Sequence, residues 1–457
     1  MMIYDRIYLI GIGGIGMSAL ARYFHAKSYK VGGYDKTPTA LTDSLQQEGI
    51  EISFEKEFTP NWINDIEKTL VVYTPAIPKD HYLLSYFRSR NYTLLKRSET
   101  LGLISKDAFT IAVAGTHGKT STSSILAHLL ESSGFGCTAF LGGIATNYHS
   151  NLILSTNNII VVEADEYDRS FLHLRPDIAI ITSVDADHLD IYNDDQDLKN
   201  TFVRFAEKLK PNGLLLVNES IKAHFENVSG VQKQTYSIDE NATNRAFNLR
   251  IENNKQLFDA EVRGLTNFEK ISLNSLSLSL PGNHNVANAL SAIVVGSRLG
   301  LNPSQLATSM NSFKGVKRRF EIHCVSECIY IDDYAHHPQE IKVTIDAVRK
   351  LYPSKKLTVV FQPHLFSRTN DFYKEFANEL ANADELILLD IYPARELPIE
   401  GVDSNLILKN IKSNMDKCLL TNDQLLKSLK ENKRDLLVTL GAGDIDKLVN
   451  PIKLICQ

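Results

Sequence analysis

A disulfide framework is the first thing this chain lacks. Its 457 residues carry five cysteines (Cys137, Cys324, Cys328, Cys418 and Cys456), too few and too scattered to frame a fold of this length. Cys324 and Cys328 stand close together, but no second pair completes a zinc site, which leaves buried or surface thiols as the reading. Positive charge is not in excess either. With 49 Lys and Arg against 54 Asp and Glu, the formal net charge is −5, so nothing draws nucleic acid or an anionic membrane surface. No apolar run approaches the length that spans a bilayer. No basic segment followed by a cleavable apolar stretch stands in the first residues, where Gly11 to Gly16 interrupts the only early apolar run. Internal repeats and low-complexity stretches are absent. Together these absences lead to the expectation of a cytoplasmic protein with neither membrane nor nucleic acid among its partners.

What is present is an ordinary globular composition, 43% hydrophobic and 23% charged, in a chain too long for one core. Two to three domains are expected. Residues 1–107 read as strand and helix in alternation: Arg6–Ile10 as a strand, Met17–His25 as a helix, Tyr29–Tyr34 and Leu70–Tyr73 as further strands. Residues 108–312 open with the apolar run Phe109–Ala114 and hold strands at Ile159–Val162, Ile178–Ile181 and Leu214–Val217. A small antiparallel patch is expected between Ser237 and Leu280, and then a helix from about Val286. Residues 313–457 repeat the alternation, with strands at Ile329–Ile331, Leu357–Phe361, Leu386–Leu389 and Leu436–Leu440. The fold class is α/β: a Rossmann-like N-terminal layer, a central parallel sheet of the phosphate-loop ATPase kind, and a Rossmann-like C-terminal layer.

The chemistry gathers at Gly115-Thr116-His117-Gly118-Lys119-Thr120-Ser121. A buried strand precedes it, and a helix with Ile125, Leu126, Leu129 and Leu130 at helical spacing follows. That layout lets backbone N–H groups cradle phosphate oxygens, the lysine reach the terminal phosphates and the threonine hydroxyl ligate Mg²⁺. The full pattern wants glycine five residues before Gly118, where Val113 stands. Gly11-Ile12-Gly13-Gly14-Ile15-Gly16, with Asp35 downstream, fits a dinucleotide fingerprint. It fits equally a loop for any diphosphate, or a tight turn without ligand.

Carboxylates follow the core strands. Glu163 ends one of them and suits a metal-binding or water-positioning role; Glu166 and Asp168 just beyond read as solvated or helix-capping groups. His188, among Asp185, Asp187 and Asp190, suits a metal or phosphate role. Asn285 and Asn288 open a helix, as caps or as readers of a purine edge. Lys317-Arg318-Arg319 is either a solvated charge run or a phosphate contact. Asp332-Asp333-Tyr334-Ala335-His336-His337 is too polar for a core and reads as a catalytic-site loop, since adjacent histidines do not easily face one ion. His364 and Arg368 offer themselves to an anion such as a carboxylate. Gly441 to Asp444 reads as a tight turn before a helix, as suited to a structural role as to binding.

As a set these residues resemble the Mur ligases. The resemblance rests on Gly-Ile-Gly-Gly-Ile-Gly at 11–16, Gly-Thr-His-Gly-Lys-Thr at 115–120, Glu-Ala-Asp-Glu at 163–166, Ala-Asp-His-Leu-Asp at 186–190 and Gly-Asn-His-Asn-Val-Ala-Asn at 282–288. Arg-Arg-Phe-Glu at 318–321, Asp-Asp-Tyr-Ala-His-His-Pro at 332–338 and Phe-Gln-Pro-His at 361–364 narrow it to the member that adds L-alanine. The resemblance covers the whole chain in order. It implies ATP-dependent ligation of L-alanine to UDP-N-acetylmuramate through an acyl phosphate, with two Mg²⁺ sites, in a monomer or homodimer. Gly11 to Gly16 and Asp35 would then hold the UDP-sugar. Gly115 to Ser121, Asn285, Asn288, Arg319 and Asp333 would hold ATP. Lys119, Glu163 and His188 would be catalytic, with Thr120, Glu163 and His188 as metal ligands, and His337, His364 and Arg368 would hold the amino acid. In this family the short glycine loop is usual, so Val113 ceases to count against it. Related ligases carry a carbamylated lysine near the position of Val203, and none is expected here. Leu365 and Arg395 depart from the family pattern at the amino-acid pocket. A muropeptide ligase that returns whole tripeptides to the same UDP-sugar is the nearest alternative. An NAD-dependent oxidoreductase has no use for the Gly-Lys-Thr loop, and a non-catalytic nucleotide-binding regulator would release no phosphate.

Overall fold

The computed structural model describes residues 4–57, 59–185, 191–238, 241–253, 255–263, 270–325, 328–394 and 396–457. They form three sheets in an α/β fold. Two compact units divide the chain: Met1–Leu249 with Phe258–Ser277 and Val286–Lys314, and Arg250–Leu257 with Leu278–Asn285 and Gly315–Gln457.

The first unit contains the N-terminal sheet, five parallel strands in the order Glu51–Ser53, Lys30–Tyr34, Arg6–Ile10, Thr69–Tyr73, Thr93–Lys96. Ile7, Tyr8, Leu9 and Ile10 are wholly buried, as a central strand covered on both faces must be. Beside it lies a larger sheet. Its middle is parallel, with Phe109–Ala114 between Ile178–Ile181 and Ile159–Glu163. Leu214–Asn218, Gln232–Ser237 and the three strands Asn244–Glu252, Lys255–Arg263 and Lys270–Leu278 extend one side; Thr138–Ala145 and Ser150–Ile153 extend the other. The Arg250–Leu257 turn belongs to the second unit.

Helix Ile15–Ala26 carries the glycine loop of the N-terminal sheet and packs on the larger sheet through polar as well as apolar groups. Arg22 donates to Asn151 Oδ1 at 2.6 Å, Asn151 Nδ2 donates to Ser18 Oγ at 2.9 Å, and the Tyr23 and Phe140 rings meet at 5.3 Å. Arg22 also reaches Glu48, which holds the following helix, Ala40–Gln47, against the same face.

The second unit is built on a six-stranded sheet in the order Glu321–Val325, Ile329–Asp333, Leu436–Leu440, Leu357–Phe361, Glu385–Leu388, Asp416–Leu419. Only the first pairing is antiparallel. Its central strands Leu357–Phe361 and Leu436–Leu440 are wholly buried, mostly Leu and Val, each such side chain contributing roughly 1.5–3 kcal/mol by leaving water.

Strand positions follow the apolar runs closely, whereas helices begin earlier than periodicity suggests. They start at Ile15, Lys119 and Asn283 where the spacing indicates Met17, Ser121 and Val286. The reason is local. The first turns of the helices from Lys119 and Asn283 are polar and that of the helix from Ile15 holds Gly16 and exposed Ile15, so the buried apolar stripe begins later.

Candidate active site

The phosphate loop leaves strand Phe109–Ala114 at Gly115 and enters helix Lys119–Ser132. Gly115 has φ +137°, and a Cβ there would fall 1.9 Å from Thr182 Oγ1. Gly118 is left-handed at φ +83°, and a Cβ would fall 2.6 Å from Asn288 Oδ1. Both positions therefore exclude side chains on two counts, conformation and space. No side chain caps the helix start, so its leading N–H groups are left for an anion.

The loop is braced by the residues that follow strand Ile178–Ile181. Thr116 Oγ1 lies 2.8 Å from Ser183 Oγ, and Ser183 Oγ accepts from His117 N at 2.9 Å. Thr182 Oγ1 donates to Ala114 O and His117 O, and Asp185 N donates to Thr116 Oγ1 at 3.1 Å. Thr182 and Ser183 were not singled out from sequence. Their signal was the hydroxyl pair at the carboxyl end of a buried strand next to the loop.

Lys119 Nζ donates to Gly115 O at 2.6 Å and to Glu166 at 2.8 Å. Burial alone would push its ammonium down, but Glu166, Asp165 and Glu163 outweigh that and hold it above the ordinary lysine value. Glu166 is wholly buried, which overturns its reading as a solvated or capping acid. Asp168 is likewise engaged, with Lys96 at 2.6 Å. The physical reason is that an ammonium taken out of water needs a carboxylate beside it, and the turn after Glu163 supplies one. Tyr192 OH donates to Glu166 O at 2.6 Å and closes the back of the pair.

Glu163 stands opposite. Its Oε1 accepts from Thr120 Oγ1 at 2.9 Å and its Oε2 from Gly142 N at 2.9 Å. A carboxylate and a hydroxyl side by side are the hard oxygen donors that Mg²⁺ prefers, so these residues fit the ion. His188 lies outside the described residues. Asn288 is buried against the loop at Gly118. Val203, in helix Asp195–Ala206, packs against the apolar core.

At the N-terminal loop, Asp35 Oδ2 accepts from Gly13 N at 2.8 Å and Oδ1 from Thr37 N at 3.2 Å, so Asp35 shapes the turn. Helix Ile15–Ala26 again starts without a side-chain cap. Arg97, which sequence reasoning passed over, lies against Gly16 and pairs with Asp165 at 3.4 Å. It brings a guanidinium to the helix start. No motif marks it.

In the second unit, Asp333 ends strand Ile329–Asp333 and accepts from Phe320 N at 2.7 Å and Ala335 N at 2.8 Å. Burial raises its carboxyl to about 6 against the pull of Arg319 and these two N–H groups. The Arg319 guanidinium stacks over Tyr334 at 5.1 Å. Arg318 is neither solvated nor free for phosphate: it pairs with fully buried Asp332 at 2.9 Å and donates to Gly441 O at 2.6 Å. Asn285 Nδ2 donates to Pro281 O at 2.8 Å.

His337 caps helix Pro338–Leu351 and meets Phe372 at 5.0 Å. Its neighbour His336 faces His364, ring centroids 5.9 Å apart, and His364 stacks on Tyr392 at 5.7 Å. Burial, with Arg368 and Arg319 adding to it, lowers the His336 imidazole despite Glu340. His336 belongs to the loop read from sequence as a catalytic-site loop, Tyr392 is the member of the cluster that sequence did not single out, and Arg368 reaches the cluster electrostatically. Leu365 adopts φ +72° at the start of helix Phe366–Leu380; Arg395 lies outside the described residues. Gly443 precedes a short helical turn, Asp444–Leu448, which Gln362 fastens by accepting from Ile445 N.

Three family profiles match the chain consecutively: the Mur ligase family catalytic domain at residues 6–108, the Mur ligase middle domain at 113–296, and the Mur ligase glutamate ligase domain at 318–443. The chain belongs to the Mur ligase family. It is 47% identical over 453 residues to the UDP-N-acetylmuramate–L-alanine ligase of Flavobacterium johnsoniae, covering 98% of this chain and 97% of that one. With the ligase of the same name from Flavobacterium psychrophilum the identity is 49% over the same shares. Among solved structures, the UDP-N-acetylmuramate–alanine ligase of Thermotoga maritima matches with a TM-score of 0.80 and 26% identity, covering 98% of each chain.

Proposed function

We propose that this chain is an ATP-dependent amide-forming ligase that joins L-alanine to the carboxylate of UDP-N-acetylmuramate in peptidoglycan precursor synthesis. Identity of 47–49% along nearly the whole length of enzymes named for that reaction carries the reading. It also favours alanine addition over tripeptide recycling.

The reaction has two steps. A carboxylate oxygen of the UDP-sugar attacks the γ-phosphorus of ATP and ADP leaves, giving an acyl phosphate. The alanine amine then attacks the acyl carbon, and the tetrahedral intermediate expels phosphate. Both steps concentrate negative charge, so positioning and electrostatics supply most of the acceleration. In this reading the N–H groups of Gly115 to Ser121 cradle the phosphates and Lys119 leaves Glu166 to follow the transferring phosphoryl group. Asn285, Asn288, Arg319 and Asp333 hold ATP. Thr120 and Glu163, with His188, would hold Mg²⁺ at two sites, where the ion neutralises phosphate charge. Gly11 to Gly16, with Asp35 setting their turn, take the UDP diphosphate. His337, His364 and Arg368 take the amino acid. Residues 1–107, 108–312 and 313–457 divide the three substrates in that order, UDP-sugar, ATP, alanine. We assign the enzyme to the cytoplasm as a monomer or homodimer, with no nucleic-acid or membrane partner.

The test is phosphate release with ATP, Mg²⁺, UDP-N-acetylmuramate and single amino acids, run beside the L-alanyl tripeptide. Turnover with L-alanine is expected. Turnover with the tripeptide alone would overturn the assignment.

A further inference from the structure

Three of the five cysteines meet at one end of the second unit's sheet, away from the strand ends that carry the His336–His364 cluster. Cys328 immediately precedes strand Ile329–Asp333, Cys324 lies in the antiparallel strand Glu321–Val325, and Cys456 ends helix Val449–Cys456. All three are buried. The sulfurs of Cys328 and Cys456 are 3.0 Å apart, closer than unbonded sulfurs usually sit and about 1 Å beyond a covalent S–S bond. Cys324 Sγ instead points to Lys453 O at 3.7 Å.

We propose that Cys328 and Cys456 form a reversible thiol–disulfide pair, a modification site for a small peroxide oxidant that is separate from the ligase chemistry. Three observations carry this. The first is the S···S approach itself, which needs little backbone movement to become a bond. The second is access: both cysteines line a cleft, with Lys433, Arg434 and Gln457, that has room for water-sized molecules (about 30 Å³). Hydrogen peroxide is small enough for such a space. The third is polarity. The two thiols lie within hydrogen-bond distance, that contact lowers the Cys328 thiol while it raises Cys456, and the cationic side chains of Lys433 and Arg434 line the same cleft.

The chemistry balances with peroxide as oxidant. The Cys328 thiolate attacks one peroxide oxygen, the O–O bond breaks, and the departing oxygen takes a proton and leaves as water. Cys328 is then a sulfenic acid. The Cys456 thiol attacks that sulfur, the S–S bond forms, the S–O bond breaks, and its oxygen leaves as a second water carrying the Cys456 proton. Two thiols are oxidised by two electrons in all and one peroxide is reduced. A dithiol reductant reverses it. The bond would close a loop of 128 residues and tie helix Val449–Cys456 to the base of the strand that ends at Asp333. Stapling so long a loop restricts the unfolded chain and raises the denaturation temperature.

The experiment treats the full-length chain with equimolar hydrogen peroxide and reads free thiols, peptide mass and thermal denaturation. Loss of two thiols, a Cys328–Cys456 cross-linked peptide, a higher denaturation temperature, and recovery of all three readouts in dithiothreitol are expected. Cys418→Ser, at the exposed cysteine, should leave that result unchanged. In Cys456→Ser the cross-link should vanish and a dimedone adduct should accumulate on Cys328. A cross-link through any other pair, or oxidation of Cys418 while Cys328 and Cys456 stay reduced, overturns the proposal. Because peptide mapping is done on the unsubstituted chain, it decides the matter even where a serine variant folds poorly.

Discussion

Lys119 pairs at 2.8 Å with the wholly buried carboxylate of Glu166, and this pair sets how the lysine must be tested. Replacing Lys119 by alanine removes the ammonium beside a fully buried carboxylate, a change that costs about 3–5 kcal/mol of stability. The variant Lys119→Ala should therefore lose phosphate release and also unfold at lower urea. The double variant Lys119→Met with Glu166→Gln keeps size and removes both charges. It should regain most of the stability in urea denaturation while phosphate release stays down on the order of 10³-fold. Recovery of activity in the double variant would show that the lysine is only a structural partner. Asp333 makes a second residue-scale prediction. Its folded carboxyl titrates at about 6, above the unfolded value near 4, so between these pH values the folded chain keeps a proton the unfolded chain has lost. The contribution of this group is greatest below about pH 4 and falls as pH rises towards 6. Asp333→Asn should remove that slope. The check is the difference in unfolding free energy between the two proteins from pH 4 to 7, and equal slopes would contradict the buried, raised carboxyl.

At the scale of elements, strands carry the functional groups on their carboxyl ends, and helices Ile15–Ala26 and Lys119–Ser132 start without a side-chain cap. Helix Lys119–Ser132 begins at left-handed Gly118, where no side chain caps it. Gly118→Ala would add a Cβ to a left-handed residue, costing about 1–2 kcal/mol, and would press on Asn288 as well. We expect a drop in denaturation temperature together with loss of ATP binding by calorimetry. Unchanged ATP affinity would argue that phosphate does not dock at this helix start. Strand runs such as Phe109–Ala114 and Leu436–Leu440 were legible in sequence because burial on both faces demands continuous apolar side chains. The starts of helices Lys119–Ser132 and Asn283–Arg298 were not, because their first turns are polar and carry no apolar stripe.

For the whole molecule, three family profiles in sequence, three sheets and relatives named for one reaction agree on an α/β ligase. Metal removal tests its electrostatic economy. In EDTA, phosphate release with UDP-N-acetylmuramate, L-alanine and ATP should fall to background and return with excess Mg²⁺. Persistent turnover in EDTA would mean that Thr120 and Glu163 hold no required ion. No helix among the described residues is long and apolar enough to cross a membrane.

By itself the sequence determined the fold class, the order of strands and loops, and the residues whose chemistry lies in short contiguous motifs. Gly115 to Thr120, Glu163 and the Asp332–His337 loop were all visible there, because a phosphate loop or a strand-end carboxylate is a local requirement of backbone and charge. Only the tertiary structure decided who partners whom. It buried Glu166 against Lys119, turned Arg318 onto Asp332, laid Arg97 against Gly16, set His336 beside His364 and brought Cys328 to Cys456 across 128 residues. Those pairings join segments far apart in the chain, and their energies come from shared burial, which no local pattern records.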